Sequence, residues 1–153
     1  MRYGVWDKLA HKYNRLWVQK YSLGPTRREV KKIVLPLLAD KPELKILDVG
    51  CGTGQLIKEI SEQYPEVDYL GIDVAHNMVE IAANELPLQN TEFVCCDACD
   101  IADRFKEEQF DLILCTHAFP YFPDKPGMVK KFATLCKGNG KVIIANSSTN
   151  SLK

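Results

Sequence analysis

Ile46-Leu47-Asp48-Val49-Gly50-Cys51-Gly52-Thr53-Gly54-Gln55 decides how this chain folds. An apolar run ends in an aspartate, three glycines alternate with small or polar residues, and a helical pattern begins. That order predicts a strand, a tight turn and a helix. The glycines permit φ > 0 and remove the Cβ atoms that would hold a ligand off the backbone. The unpaired N–H groups of the following helix would face that ligand. A nucleotide-like molecule is therefore expected across the turn.

On either side of this turn, apolar patterning divides the chain into alternating strands and helices. Trp6, Leu9, Ala10, Tyr13, Leu16 and Trp17 recur at helical spacing and predict an N-terminal helix. Ser22-Leu23-Gly24-Pro25 predicts a break, and Thr26 the N-cap of a helix running to about Leu38 with Pro36 near its end. Strands are predicted at Lys45–Val49, Asp68–Ile72, Thr91–Cys96, Phe110–Cys115 and Lys141–Ala145. Helices are predicted at Gln55–Gln63, Asn77–Leu86 and near Met128–Cys136. Strands alternating with helices predict an α/β fold, a doubly wound and mostly parallel sheet with helices on both faces. Gly138-Asn139-Gly140 is expected to turn into the fifth strand.

Bulk properties agree with one soluble domain. The chain has 153 residues, long enough for one core and short for two. Its 20 basic and 20 acidic residues cancel, which argues against a nucleic-acid partner. No segment approaches the length of a membrane span, and the N-terminus lacks an apolar signal core, so a cytoplasmic protein is expected. The 6 cysteines are then expected as reduced thiols. Cys95, Cys96 and Cys99 cluster, but adjacent strand residues face opposite ways and no second Cys/His pair follows at zinc-ligand spacing. They read as small buried hydrophobes rather than metal ligands. Arg27-Arg28 and Lys31-Lys32 read as a solvated helix face.

Three acids close successive predicted strands. Asp48 precedes the glycine turn, Asp73 follows the second strand and Asp97 the third. Each alone could be an N-cap or turn residue. Together they lie on the sheet edge where open α/β folds bind ligands. A carboxylate at Asp73 can accept both hydroxyls of a ribose, and one at Asp97 can accept an adenine amino group beside the Ala98 N–H. The dinucleotide fingerprint would place its third glycine at Gln55, one residue later than Gly54. Asp48 would also repel a pyrophosphate, whereas it suits a cationic amino group. A nicotinamide-dependent oxidoreductase is thus disfavoured. A P-loop is excluded, because no Lys-Ser/Thr pair follows the glycines.

On these residues the chain resembles the class I S-adenosylmethionine-dependent methyltransferases. The resemblance rests on Leu47 to Gly54, on Gly71-Ile72-Asp73-Val74-Ala75 with Asn77-Met78, and on Asp97-Ala98. Phe110-Asp111-Leu112-Ile113 and Leu135 to Gly140 extend it, so that it covers Trp6 to Ser147. It implies S-adenosyl-L-methionine as cofactor, with Gly50, Cys51, Gly52, Thr53 and Gly54 around its methionine and ribose. Asp48 would orient the amino group directly or through water, and Asp73 with Val74 would serve the ribose. Met78, Asp97 and Ala98 would serve the adenine. Thr116 and His117 would lie near the transferred methyl group, with His117 the candidate base. Tyr13 resembles the family's lid tyrosine, in a helical lid spanning residues 1–24 of a single 1–153 domain.

The loop Thr116-His117-Ala118-Phe119-Pro120-Tyr121 is not Asn-Pro-Pro-Tyr, the motif of relatives that methylate base or glutamine amines. A small-molecule acceptor is expected instead. Phe119, Tyr121 and Phe122 either line its pocket or pack under their own loop. The resemblance also implies a strand hairpin after the fifth strand, and none follows here. The chain would then be a trimmed form, a fragment, or a short form that covers the strand-five edge by dimerising. A non-catalytic cofactor- or partner-binding module of the same fold stays open as an alternative.

Overall fold

In a computed structural model, residues 3–16, 19–41 and 43–147 are described. Trp17, expected on the first helix, lies outside them. Five strands alternate with helices in the chain (β1 Lys45–Val49, β2 Asp68–Asp73, β3 Thr91–Cys95, β4 Phe110–Thr116, β5 Cys136–Ala145). They form one sheet in the order β3-β2-β1-β4-β5, with every neighbouring pair parallel. Chain direction across the sheet reverses between β1 and β4. That reversal opens a crevice beyond the carboxyl ends of those two strands.

Alternation along each strand feeds two cores. Ile46, Tyr69, Leu112 and Leu114 face one side, beneath α2 (Gly24–Asp40) and α3 (Gln55–Ser61). Val30, Val34 and Leu38 of α2 and Leu56, Ile57 and Ile60 of α3 close that side. Leu47, Val49, Ile72, Ile113 and Cys115 face the other way, covered by Phe132 and Leu135 of α6 (Lys125–Leu135) and by Ile101 of α5 (Ile101–Arg104). Both faces of the central strands β2, β1 and β4 are thus buried, as parallel sheets require.

Several boundaries differ from the sequence expectation for local reasons. Ser22 to Pro25 is not a break. A single π-helical turn, Gln19–Leu23, runs straight into α2, with Pro25 in its first turn where a missing N–H costs nothing. Thr26 is inside the helix and donates its hydroxyl to the Ser22 carbonyl at 3.0 Å rather than capping. The helix expected near Met128 starts earlier, because the Asp124 carboxylate accepts the Gly127 N–H at 2.9 Å. The expected Gly138–Gly140 turn lies within β5. Phe110 pairs with Cys136 and Leu112 with Lys141, so residues 137–140 bulge out opposite Asp111.

Arg27 and Lys31 do not form a solvated face. Both reach Glu59 of α3, at 2.8 and 2.7 Å, and Arg27 also donates to the Gln19 side chain at 2.8 Å. These contacts hold α2 against α3. β5 is an edge strand among the described residues, and its Val142 and Ile144 are exposed. No described helix is long and apolar enough to cross a membrane.

Candidate functional site

The glycine turn joins β1 to α3. Gly50, Gly52 and Gly54 all have positive φ (74°, 54° and 75°). The Gly50 and Cys51 N–H groups both donate to the Ile72 carbonyl, at 2.8 and 2.9 Å, which pins the turn to the end of β2. At Gly50 a Cβ would stand 2.4 Å from the Ala118 Cβ, so the loop after β4 closes directly onto the turn. The glycines let neighbouring segments pack onto the turn, while the Gly50 and Gly52 backbone lines a cradle beside it.

That cradle opens into a cleft of about 420 Å³. Its floor and walls include Gly50, Gly52, Asp73, Val74, Met78, Asp97, Ala98, Thr116 and His117. Tyr13 lines it from above, in α1 (Tyr3–Tyr13). The remaining predicted residues lie behind this surface. Cys51 is buried, with its thiol pushed up by burial and then by Asp48 and Asp73. Thr53 is buried and donates its hydroxyl to Asn14 Oδ1 at 2.6 Å. Gly54 is the first residue before α3 and is closed in by Phe93 and Ala82.

The three acids differ in environment. Asp73 accepts the Gly52 N–H on Oδ2 and the Ala75 N–H on Oδ1, each at 2.9 Å. It therefore braces two turns at once, and its oxygens keep free lone pairs toward the cleft. Burial raises its pKa, and the backbone donors pull the other way. Asp97 caps the 3-10 turn Ala98–Asp100 by accepting the Cys99 N–H at 2.8 Å. Asp48 points to the α2/α3 side, 1% exposed, beneath the glycine turn rather than on the cleft surface. Its Oδ1 has no hydrogen-bond partner among the described residues. Burial first, and the Asp73 charge second, push its carboxyl up to about 7.

His117 follows β4 with φ of 61°, its N–H donating to the Ala145 carbonyl at 2.8 Å. A non-glycine residue held in this region marks a strained position. Its Nε2 is enclosed and has no partner among the described residues. Burial and then the Arg27 charge lower its pKa, so the ring is neutral at physiological pH. The aromatic loop residues divide. Tyr121 and Phe122 line the cleft and Phe119 does not; Phe119 and Phe122 both pack against the core, edge-on to each other at 5.9 Å.

Some lining residues carry no sequence signal. Trp6 stood out only as one of several apolar residues at helical spacing, yet its ring stands at the cleft, edge-on to Tyr13 at 6.3 Å and to Tyr121 at 5.9 Å. Cys96, Cys99, Asn146 and Ser147 also line it. The last two could have been found from their place at the carboxyl end of β5. No described group of three or more His, Cys, Asp or Glu could hold a metal ion.

An open parallel sheet, a glycine cradle at its reversal point and two carboxylates at successive strand ends define a nucleoside-cofactor-binding α/β protein. The sequence pattern of the family described as "Methyltransferase domain" matches residues 46–140. The chain belongs to that family, the class I S-adenosylmethionine-dependent methyltransferases. Malonyl-[acyl-carrier protein] O-methyltransferase of Acetivibrio thermocellus is 36% identical over 103 residues, 67% of this chain and 35% of that protein. Demethylmenaquinone methyltransferase of Thermotoga maritima is 29% identical over 140 residues, 92% of this chain and 58% of that protein. The chain thus spans between about a third and six-tenths of these relatives. A putative S-adenosyl-L-methionine-dependent methyltransferase of Methanococcus maripaludis shares the fold, with TM-score 0.74 and 19% identity over 90% of this chain and 62% of that one.

Proposed function

We propose that this chain binds S-adenosylmethionine in the cleft and transfers its methyl group to a small-molecule acceptor. The observation that carries this reading is the cradle itself. The backbone of Gly50 and Gly52 lines the cleft, Asp73 and Asp97 stand on the same cleft, and Asp48 waits behind it with a buried oxygen that has no partner among the described residues. These features fit an amino-acid-bearing nucleoside. Asp73 takes the ribose hydroxyls, Asp97 and Ala98 the adenine edge, and Met78 packs on the ring. Asp48 answers the amino group through a bridging water, since it does not reach the cleft surface. Tyr13 stands over the carboxylate.

When bound, S-adenosylmethionine supplies an electrophilic methyl carbon, which a nucleophile takes in line while the C–S electron pair returns to sulfur. The protein's share is mostly proximity and orientation. Where the acceptor is a hydroxyl, the neutral His117 imidazole takes its proton and passes it to water. Trp6, Tyr121 and Phe122 give the acceptor half of the cleft apolar walls. Among the described lining residues there is no Lys or Arg, which favours an acceptor without a fixed negative charge.

Calorimetry with S-adenosylhomocysteine and NAD, run side by side, tests the cofactor. Binding of the first alone is expected. Tighter binding of NAD would overturn the assignment.

A further inference from the structure

α1 crosses the cleft, and two polar contacts tie it down. Asp7, near the middle of α1, makes the first. Its Oδ1 accepts the Asn77 N–H at 2.9 Å, and its backbone carbonyl accepts the Asn77 side-chain amide at 3.2 Å. Asn77 is in the first turn of α4 (His76–Glu85), whose own N-cap, Ala75, has no side-chain oxygen to offer. A carboxylate from another helix therefore does the work of the missing cap, in a position the helix dipole favours. Asn14 lies two helical turns further on, just past α1. Its Oδ1 accepts the Thr53 hydroxyl at 2.6 Å.

These two contacts end on the two turns that form the cofactor cleft. Asn77 closely follows Asp73 and Val74, and Thr53 sits between Gly52 and Gly54. Trp6, next to the first contact, and Tyr13, next to the second, both line the cleft. Among its described side chains only Ala10 is nine-tenths buried, against Ala75 and Met78, with Trp6 and Tyr13 partly buried against the same cluster. An 11-residue helix does not persist without tertiary support.

We infer that Asp7 and Asn14 are positioning residues that clasp α1 across the cleft and set how long the cofactor stays bound. This rests on the cofactor assignment proposed above. A ligand beneath α1 leaves when either clasp opens. By linkage, ligand in the cleft must in turn stabilise the clasped helix. The Asp7 side chain acts through its acceptor oxygen, so Asn at that position keeps the clasp and Ala loses it.

The test uses S-adenosylhomocysteine as ligand, with its release rate measured by competition and amide hydrogen exchange measured across residues 3–16. Asp7→Ala and Asn14→Ala are each expected to speed release roughly fivefold, the factor that loss of an ordinary cap corresponds to. Asp7→Ala should lower the melting temperature by only about 2–4 °C, as loss of one cap does, and Asp7→Asn should restore slow release. In the wild-type chain the ligand should slow exchange in α1. If both alanine variants release the ligand at the wild-type rate, or α1 exchange ignores the ligand, the inference is wrong. A wild-type chain that does not bind S-adenosylhomocysteine would instead refute the cofactor assignment, and with it the clasp's role in cofactor release.

Discussion

Asp48→Asn should remove most of the pH dependence of stability between pH 5 and 8. In the folded chain this carboxyl titrates at about 7, against an ordinary 3.8. Between those values the native state holds a proton that the unfolded chain has lost. Stability therefore falls as pH rises through this window and levels off above about 7. At about 1.4 kcal/mol per pH decade, the span from pH 5 to 7 corresponds to about 3 kcal/mol. For a domain of this size that is roughly 6–12 °C in melting temperature. Comparing each chain's own shift between pH 5 and pH 8 cancels any difference between the neutral side chains. Scanning fluorimetry of both chains, without ligand, reads it directly. The wild type should lose those degrees relative to the variant. In the same reading, S-adenosylhomocysteine should bind the wild type more tightly as pH rises through 7, and the variant without that dependence. Parallel melting curves for the two chains would show that Asp48 ionises freely in the fold, and the argument from its burial would fail.

Asp73→Ala should weaken binding of S-adenosylhomocysteine in calorimetry by up to about 3 kcal/mol for each charged hydrogen bond lost. It should also lower the melting temperature, because the Gly52 and Ala75 N–H groups lose their acceptor. Gly50→Ala should destabilise by more than the roughly 1–2 kcal/mol of a left-handed backbone, since the new Cβ would lie 2.4 Å from that of Ala118; chemical denaturation measures it. His117→Gln should slow methyl transfer to a hydroxyl acceptor and abolish the acid limb of the rate profile, which in the wild type should lie below the ordinary histidine value of 6.5. Ile144→Lys should reduce any self-association seen in sedimentation, because it places charge on the exposed edge strand.

The sequence by itself determined the βα alternation, the glycine turn and the three strand-end acids. β1 spans Lys45–Val49 as its apolar run predicts, and β2, β3 and β4 differ from their predicted ends by a single residue. Strand faces and turn glycines are local properties, written in period-two patterning and backbone sterics, so they can be read from neighbours in the chain. What the tertiary structure decided is where two distant segments meet. Tyr121 lines the cleft, Phe119 packs against the core and Phe122 does both, although all three belong to one aromatic run. Arg27 and Lys31 turn inward because Glu59 stands opposite them on another helix. Asp7 becomes a cap only because α1 lies against α4, seventy residues further along the chain. Asp48 was legible as an acid before a glycine turn, but its burial depends on α2 and α3 closing over that side of the sheet. A residue's type and local pattern limit what it can do; the partner brought to it by packing selects which of those things it does.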